Sequence, residues 1–314
     1  MKAIRLSETD GIEPLHYEDV PCPKPGQNEC LVRVRAAGVN PIDWLMCRGV
    51  LPHLLDTHLP WIPGWDVSGV IESVGTNVTE FAPGDAVCGM SRLLGAGGAF
   101  AEYTTMSRDE ITAKPDSLSH TEAAAVPMAG QTAFHALYEK GNLDSDDNVL
   151  VHGAAGGVGH MAVQFAAETE AHVTGTASGH NKAFLRKLGV DRFVNYRKER
   201  FEDVLSGVDF VLDTVGGDVL ERSVEVVQQG GVVVTLPEPP SQETVERYQN
   251  EYGVTVGFLD VIEDSNTATL QQVVDNVDAG VIAPRVSDVC PLLRCKTHLP
   301  GAQRVTSVAN FWSL

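Results

Sequence analysis

The sequence predicts an α/β chain in two parts: an irregular, mostly β portion followed by a doubly wound parallel sheet covered by helices. Three observations predict it. Asn148 to Gly159 runs from an apolar strand, through a cluster of glycines, directly into the helical pattern His160 to Ala167. Val208–Asp213 and Gly231–Leu236 are near-continuous apolar runs, as expected of parallel strands buried on both faces. Residues 1 to about 118 instead break into short apolar segments, such as Cys30–Arg35 and Val67–Val74, between Pro and Gly turns.

The glycine stretch organises the rest. Gly153, Gly156, Gly157 and Gly159, with Val158 among them, let the backbone turn tightly and approach a ligand. The helix that follows offers free N–H groups and the positive end of its dipole, which suits a pyrophosphate. The spacing is one residue looser than Gly-x-Gly-x-x-Gly. A polar turn, Asp144 to Asp147, precedes the strand, and a second βα unit begins at Ala171, so the context is that of a dinucleotide site. The second strand then selects the cofactor. An NAD site places Asp or Glu about 20 residues beyond the glycine turn. Here the strand ends in Ala177-Ser-Gly-His-Asn-Lys182, without an acid. Ser178 and Lys182 suit a 2′-phosphate, and Tyr196 and Arg197 end the next strand at the same edge. NADP(H) is the expected cofactor.

Composition excludes several classes of function. With 314 residues the chain has room for two domains, and 43% hydrophobic residues supply a core. No apolar run spans a membrane and no signal peptide is evident, so a cytoplasmic protein is expected. Six scattered cysteines argue against a disulfide framework. Forty-two acids against 23 basic residues give a net charge of −19, which repels nucleic acid and anionic lipid. Spread along the whole chain, this acidity suggests a halophilic origin, since salt screens self-repulsion.

Six segments occur in an order typical of one family: Gly38-Val-Asn-Pro-Ile-Asp43, Pro63-Gly-Trp-Asp-Val-Ser-Gly69, Pro83-Gly-Asp-Ala-Val87, Gly98-Ala-Phe-Ala-Glu-Tyr103, Gly153 to Gly159 and Asp213-Thr-Val-Gly-Gly217. The chain resembles the medium-chain dehydrogenase/reductases, in their zinc-independent quinone oxidoreductase (zeta-crystallin-like) branch. The resemblance implies a GroES-like catalytic domain (1–120), a Rossmann NADP-binding domain (121–257) and a return to the catalytic domain (258–314), with the active site in the cleft between domains. It further implies that Thr132 reaches the nicotinamide or its ribose, and that Val215, Leu236 and Phe258 line the far half of the cofactor. A homodimer is expected.

Zinc-dependent relatives hold their catalytic metal with a Cys and a His; Asn40 and Trp65 stand at those places. Neither supplies the thiolate or imidazole that zinc prefers, so no metal is expected. The four closely spaced cysteines of the structural zinc lobe are also missing between Cys88 and Phe100. Without a Lewis acid, hydride addition to a quinone or an α,β-unsaturated carbonyl is easier than oxidation of an alcohol. The expected function is NADPH-dependent reduction of such an acceptor; the alternative is an NADPH-binding, crystallin-like or regulatory protein with little turnover. The resemblance makes Asn40 and Asp43 the catalytic candidates. Asn40 either orients the nicotinamide ribose or donates to the developing oxyanion, and both residues equally suit a turn beside Pro41. Leu45 stands where the branch often has Tyr, which leaves the proton donor open.

The family pattern stops after Leu292. From 293 the sequence is atypical, and Leu293 to Gly301 predicts loop. Arg304–Ala309 is β-prone. The tail is expected to be foreign to the fold, its removal costing little stability.

Overall fold

The computed structural model describes residues 1–9, 15–50, 59–91, 97–294 and 307–310. Cα packing divides the chain into two compact units: unit 1 comprises Met1–Met128, Ser265–Gly280 and Pro284–Leu314, and unit 2 comprises Ala129–Asp264 and Val281–Ala283.

In chain order unit 1 begins with β1 (Lys2–Leu6), β2 (Leu15–Asp19), β3 (Glu29–Val39), α1 (Pro41–Cys47), β4 (Asp66–Val74), β5 (Ala86–Met90), β6 (Tyr103–Ser107), β7 (Ile111–Ala113) and α2 (His120–Ala123). The middle of the eleven-residue β3 shows the period-2 pattern of a strand, with Val32 and Val34 buried and Arg33 and Arg35 partly exposed, while Ala36–Val39 are buried throughout. Ser119 and Glu122 close a capping box at the start of α2.

Then come α3 (Pro127–Phe134), β8 (Asn148–Val151), α4 (Gly157–Glu168), β9 (His172–Ala177), α5 (Lys182–Lys187), β10 (Arg192–Asn195), β11 (Val208–Asp213), α6 (Asp218–Val224), β12 (Val227–Thr235), α7 (Gln242–Tyr252), β13 (Thr255–Phe258) and α8 (Val261–Asp264). α3 passes directly into a π-helical turn at His135–Lys140. Unit 2 is a six-stranded sheet in the order β10-β9-β8-β11-β12-β13, with every pair parallel. Strand order reverses between β8 and β11, and open α/β sheets bind their ligands at such a switch point. Val149, Leu150, Val151, Phe210, Val211 and Leu212 are buried there, as their continuous apolar runs require.

The chain ends with α9 (Thr267–Asp278), β14 (Asp288–Pro291) and β15 (Ser307–Asn310). The larger sheet of unit 1 runs β14-β15-β3-β4-β5-β7, and β6 also pairs with β3. This corrects the expectation for the tail. β15 is not foreign to the fold: it lies between β14 (parallel) and β3 (antiparallel), four residues paired on each side. The β-propensity of 304–309 was the signal for the strand residues 307–309; residues 304–306 lie outside the described residues. Of the loop expected over 293–301, Leu293 and Arg294 lie in a short 3₁₀ turn and residues 295–301 lie outside the described residues.

Candidate functional site

In unit 2 the site is built from backbone. Gly153, two residues beyond the end of β8, has φ +61°, and a Cβ there would collide with Thr214 Oγ1. Thr214 Oγ1 donates to His152 O at 2.8 Å, tying the loop after β11 to the glycine turn. A Cβ on Gly159 would lie 2.8 Å from Ala154 Cα and closer still to Gly153 O, so the helix packs against its own loop only without a side chain there. Ala154 N–H donates to Thr176 O at 3.0 Å, which fixes the turn against the end of β9. Gly156 precedes α4 in an extended conformation with no side-chain cap, and Gly157, Val158 and Gly159 form the first turn. The first N–H groups of a twelve-residue helix are thus left for a ligand, as an anion-binding turn requires.

The other residues expected to bind cofactor stand along the C-terminal ends of the same strands. Val215 is 53% exposed beyond β11. Leu236 follows β12, its N–H donating to Asp213 O at 3.0 Å, and Phe258 ends β13 in register with Thr235. Ser178 follows β9, and its hydroxyl is 3.1 Å from that of Tyr196, which follows β10. Tyr196 is 58% exposed, and Arg197 stacks on its ring with the guanidinium 5.8 Å from the centroid. Lys182 begins α5 and is exposed. Thr132, in α3, is buried.

Asp213 is the group in unit 2 whose role sequence reasoning passed over. Wholly buried, its carboxylate accepts the N–H groups of Val215 (2.8 Å) and Gly216 (3.0 Å) and the Thr235 hydroxyl (3.3 Å). Burial raises its pKa above 3.8, and these donors oppose the shift. It holds the loop that presents Val215. The signal was an acid ending an apolar strand just before a glycine pair.

In unit 1 the candidates meet at the start of α1. Asn40 N–H donates to Asp43 Oδ2 at 2.6 Å, and the Asn40 side chain faces the Asp43 N–H in the looser half of a capping box. Asn40 Nδ2 also donates to Asp66 Oδ2 at 2.9 Å, and Asp66 Oδ1 accepts the Met128 N–H at 3.0 Å. Asn40 is half-buried, whereas Asp43 and Asp66 are buried. Burial pushes the Asp66 pKa up to about 7, with Asn40 and Met128 opposing. Asp43 is raised well above 3.8, first by burial and then by the charge of Asp66, while the Asn40 N–H opposes. Asp43 Oδ1 is buried without a hydrogen-bond partner among the described residues. Asp66 is a residue the sequence reading missed as a partner of Asn40. An acid at the head of a strand whose first residues are buried was the available signal, because a buried carboxylate needs donors.

The described residues at the two places where zinc-dependent relatives hold their metal are not the thiolate and imidazole that zinc prefers. Asn40 offers an amide, Trp65 is fully buried, and Cys47 and Cys88 are buried thiols with pKa pushed up to about 12. Among the described residues no three of His, Cys, Asp and Glu gather as a metal site.

Two family models match the chain: the alcohol dehydrogenase GroES-like domain over residues 26–116 and the zinc-binding dehydrogenase domain over residues 157–275. A 2-methylene-furan-3-one reductase of Solanum lycopersicum is 37% identical over 244 residues, 75% of this chain and 62% of that protein. The chain thus spans less than two thirds of that relative's length. A quinone oxidoreductase of Mus musculus is 30% identical over 307 residues, 93% of this chain and 91% of the relative. The solved quinone oxidoreductase of Coxiella burnetii superposes with a TM-score of 0.90 at 31% identity, covering 99% of both chains. A mycobacterial protein solved with NADPH gives a TM-score of 0.87 at 28% identity, covering 99% of this chain and all of that one. The chain belongs to the medium-chain dehydrogenase/reductase superfamily, in its quinone oxidoreductase-like branch.

Proposed function

We propose that the protein is an NADPH-dependent reductase of quinones or α,β-unsaturated carbonyls that works without zinc. The observation that carries this reading is the glycine cradle of unit 2. It is closed to added side chains at Gly153 and Gly159, stands at the switch point of a parallel sheet, and has no acid at the end of β9. The reductase names of the relatives support it.

Bound NADPH would supply the hydride. The chain's own residues do the rest. The first N–H groups of α4 hold the pyrophosphate; Ser178, Lys182 and Tyr196, joined by Arg197, take the 2′-phosphate; Val215, Leu236 and Phe258 give apolar contact; Thr132 addresses the nicotinamide ribose. Asn40 provides the polar contact to the acceptor, and Asp43 holds Asn40 in place through the first turn of α1. Donors aimed at the oxygen where charge develops lower the barrier without a metal. With Leu45 at the place of the branch's Tyr, solvent delivers the proton. A homodimer remains part of this reading.

NADPH oxidation, followed by absorbance against a panel of quinones and enones, tests it. Turnover with at least one acceptor, unchanged by chelator, is expected; no oxidation above background with any of them overturns the reading. Loss of one charge-assisted contact costs about 1.5–3 kcal/mol, so Lys182→Ala should weaken NADPH about tenfold or more and leave NADH nearly unaffected. Equal affinities for NADPH and NADH in the parent protein would overturn the cofactor assignment.

A further inference from the structure

Asn40 is held from two sides. Its backbone and side chain engage Asp43 in the first turn of α1, and its Nδ2 donates to Asp66. Asp66 is itself fixed, buried at the head of β4 and accepting the Met128 N–H. Gly38 leaves it space: a Cβ at 38 would sit 2.7 Å from Asp66 Cβ and 2.5 Å from Ala124 O. Once ionised, above a pH of about 7, the Asp66 carboxylate only accepts hydrogen bonds, whereas the two ends of an Asn amide are alike in shape and opposite in hydrogen-bonding sense. Turned over, Asn40 would press oxygen against oxygen. Asp66 therefore decides which way round the amide stands. With one N–H given to Asp66 and the oxygen facing the Asp43 N–H, what Asn40 has left to offer is a second N–H.

We propose that Asp66 is a positioning residue: it fixes the Asn40 amide so that the remaining N–H is presented, as a donor, to the carbonyl oxygen of the acceptor. This rests on the reductase reading above, in which Asn40 contacts the acceptor, and it names the residue that turns the amide toward that oxygen.

The rival account is that Asp66 only anchors the start of α3 through Met128. Asp66→Asn separates the two. It retains an oxygen for the Met128 N–H but offers an amide N–H to Asn40, whose oxygen then turns inward. Expected are a fall in kcat of at least tenfold, an NADPH Kd by fluorescence within threefold of the parent, and a melting temperature within a few degrees. The exchange Asn40→Asp with Asp66→Asn rebuilds a donor–acceptor pair in the reverse sense. It should melt like the parent and stay slow, because it presents a carboxylate to the acceptor. A parent-like kcat in Asp66→Asn, or recovery of kcat along with stability in the exchanged variant, overturns the proposal. If the parent protein turns over no acceptor, the reductase reading falls, and the positioning is read directly. The Asn40 side-chain amide signal in a ¹⁵N spectrum, identified by its loss in Asn40→Asp, should move in Asp66→Asn; an unmoved signal overturns the positioning.

Discussion

The glycine loop of unit 2 and the Asn40 cluster of unit 1 both set polar groups against an apolar core, and they use opposite materials. The loop is made of backbone N–H groups and of side chains that are absent; it carries no titratable group of its own. The cluster is made of two carboxylates withdrawn from water and held by Asn40 and a single backbone donor from Met128. A site of the first kind is broken by adding atoms and ignores pH. A site of the second kind is broken by removing atoms and responds to protons. The sheets differ in parallel: that of unit 2 is drawn from residues 148–258, whereas that of unit 1 is completed by β15, from the far end of the chain.

The largest expected effect tests this last difference. Deleting residues 304–314 removes β15, strips β14 of its strand partner and uncovers one edge of β3. Eight paired positions are lost, and each net hydrogen bond contributes about 1 kcal/mol, so several kcal/mol of stability should go. Thermal melting measures it; an unchanged midpoint would show that β15 is not needed to hold the sheet.

Next comes the glycine cradle. Gly159→Ala places a methyl against Gly153 O and Ala154 Cα, both backbone, so the loop must shift. Overpacking of this kind costs about 1–3 kcal/mol, and NADPH affinity should fall between tenfold and a hundredfold. Gly257→Ala, in the same sheet, meets nothing within 4 Å and should change neither stability nor affinity by much. Titrating both variants with NADPH checks the pair. Equal affinities would mean that the close approach of Gly159 to its loop does not shape the site.

The same contrast explains what could be read from the sequence. Strand, glycine turn and helix are local in the chain, and the physics of a backbone anion site is local too, so Gly153 to Gly159 declared themselves. The missing acid at 177–182 was equally local. Asp66 was not, because its meaning depends on Asn40 twenty-six residues earlier and on Met128 sixty-two residues later. The tail was misjudged for the reverse reason. A segment without helical period looked foreign; its β-propensity marked a strand, but the partners that strand finds in β3 and β14 lie far away in the sequence or across a gap that no local pattern bridges.

Proton linkage gives a smaller effect, because the buried groups pull in opposite directions. Asp66 has a folded pKa of about 7 against an ordinary 3.8. Its contribution is fully present below pH 4 and is lost as pH rises through about 7. Asp43 acts in the same sense. His152, bridging Thr176 and Ser223 within unit 2, is lowered by burial from 6.5 to about 3, and His120, beside Ser68 in unit 1, is lowered by burial to about 4. Their contributions are present above 6.5 and are lost as pH falls through those values. Between pH 4 and 6.5 the carboxylates and histidines oppose one another; above 6.5 Asp43 and Asp66 act unopposed by either histidine. Asp66→Asn should therefore gain stability relative to the parent as pH rises from 5 to 8. Urea midpoints across that range measure the difference, and a constant gap between parent and variant would remove Asp66 as the titrating group.

Salt distinguishes the two sites by exposure, with the smallest effect. The Debye length shrinks from about 10 Å at 0.1 M salt to about 3 Å at 1 M, which weakens interactions among exposed charges and leaves buried ones nearly intact. The net charge of −19 sets up repulsion over the whole surface, so the melting temperature should climb by a few degrees as KCl rises. Lys182 and Tyr196 are exposed, with Arg197 stacked on the Tyr196 ring, so affinity for NADPH should fall over the same range while that for NADH changes little. Asp66 and its partners lie out of reach of screening. The loss of kcat caused by Asp66→Asn should accordingly be the same at 0.1 M and 1 M KCl. Salt that restored the activity of that variant would mean that its defect is electrostatic at long range and not a matter of how one buried amide is turned.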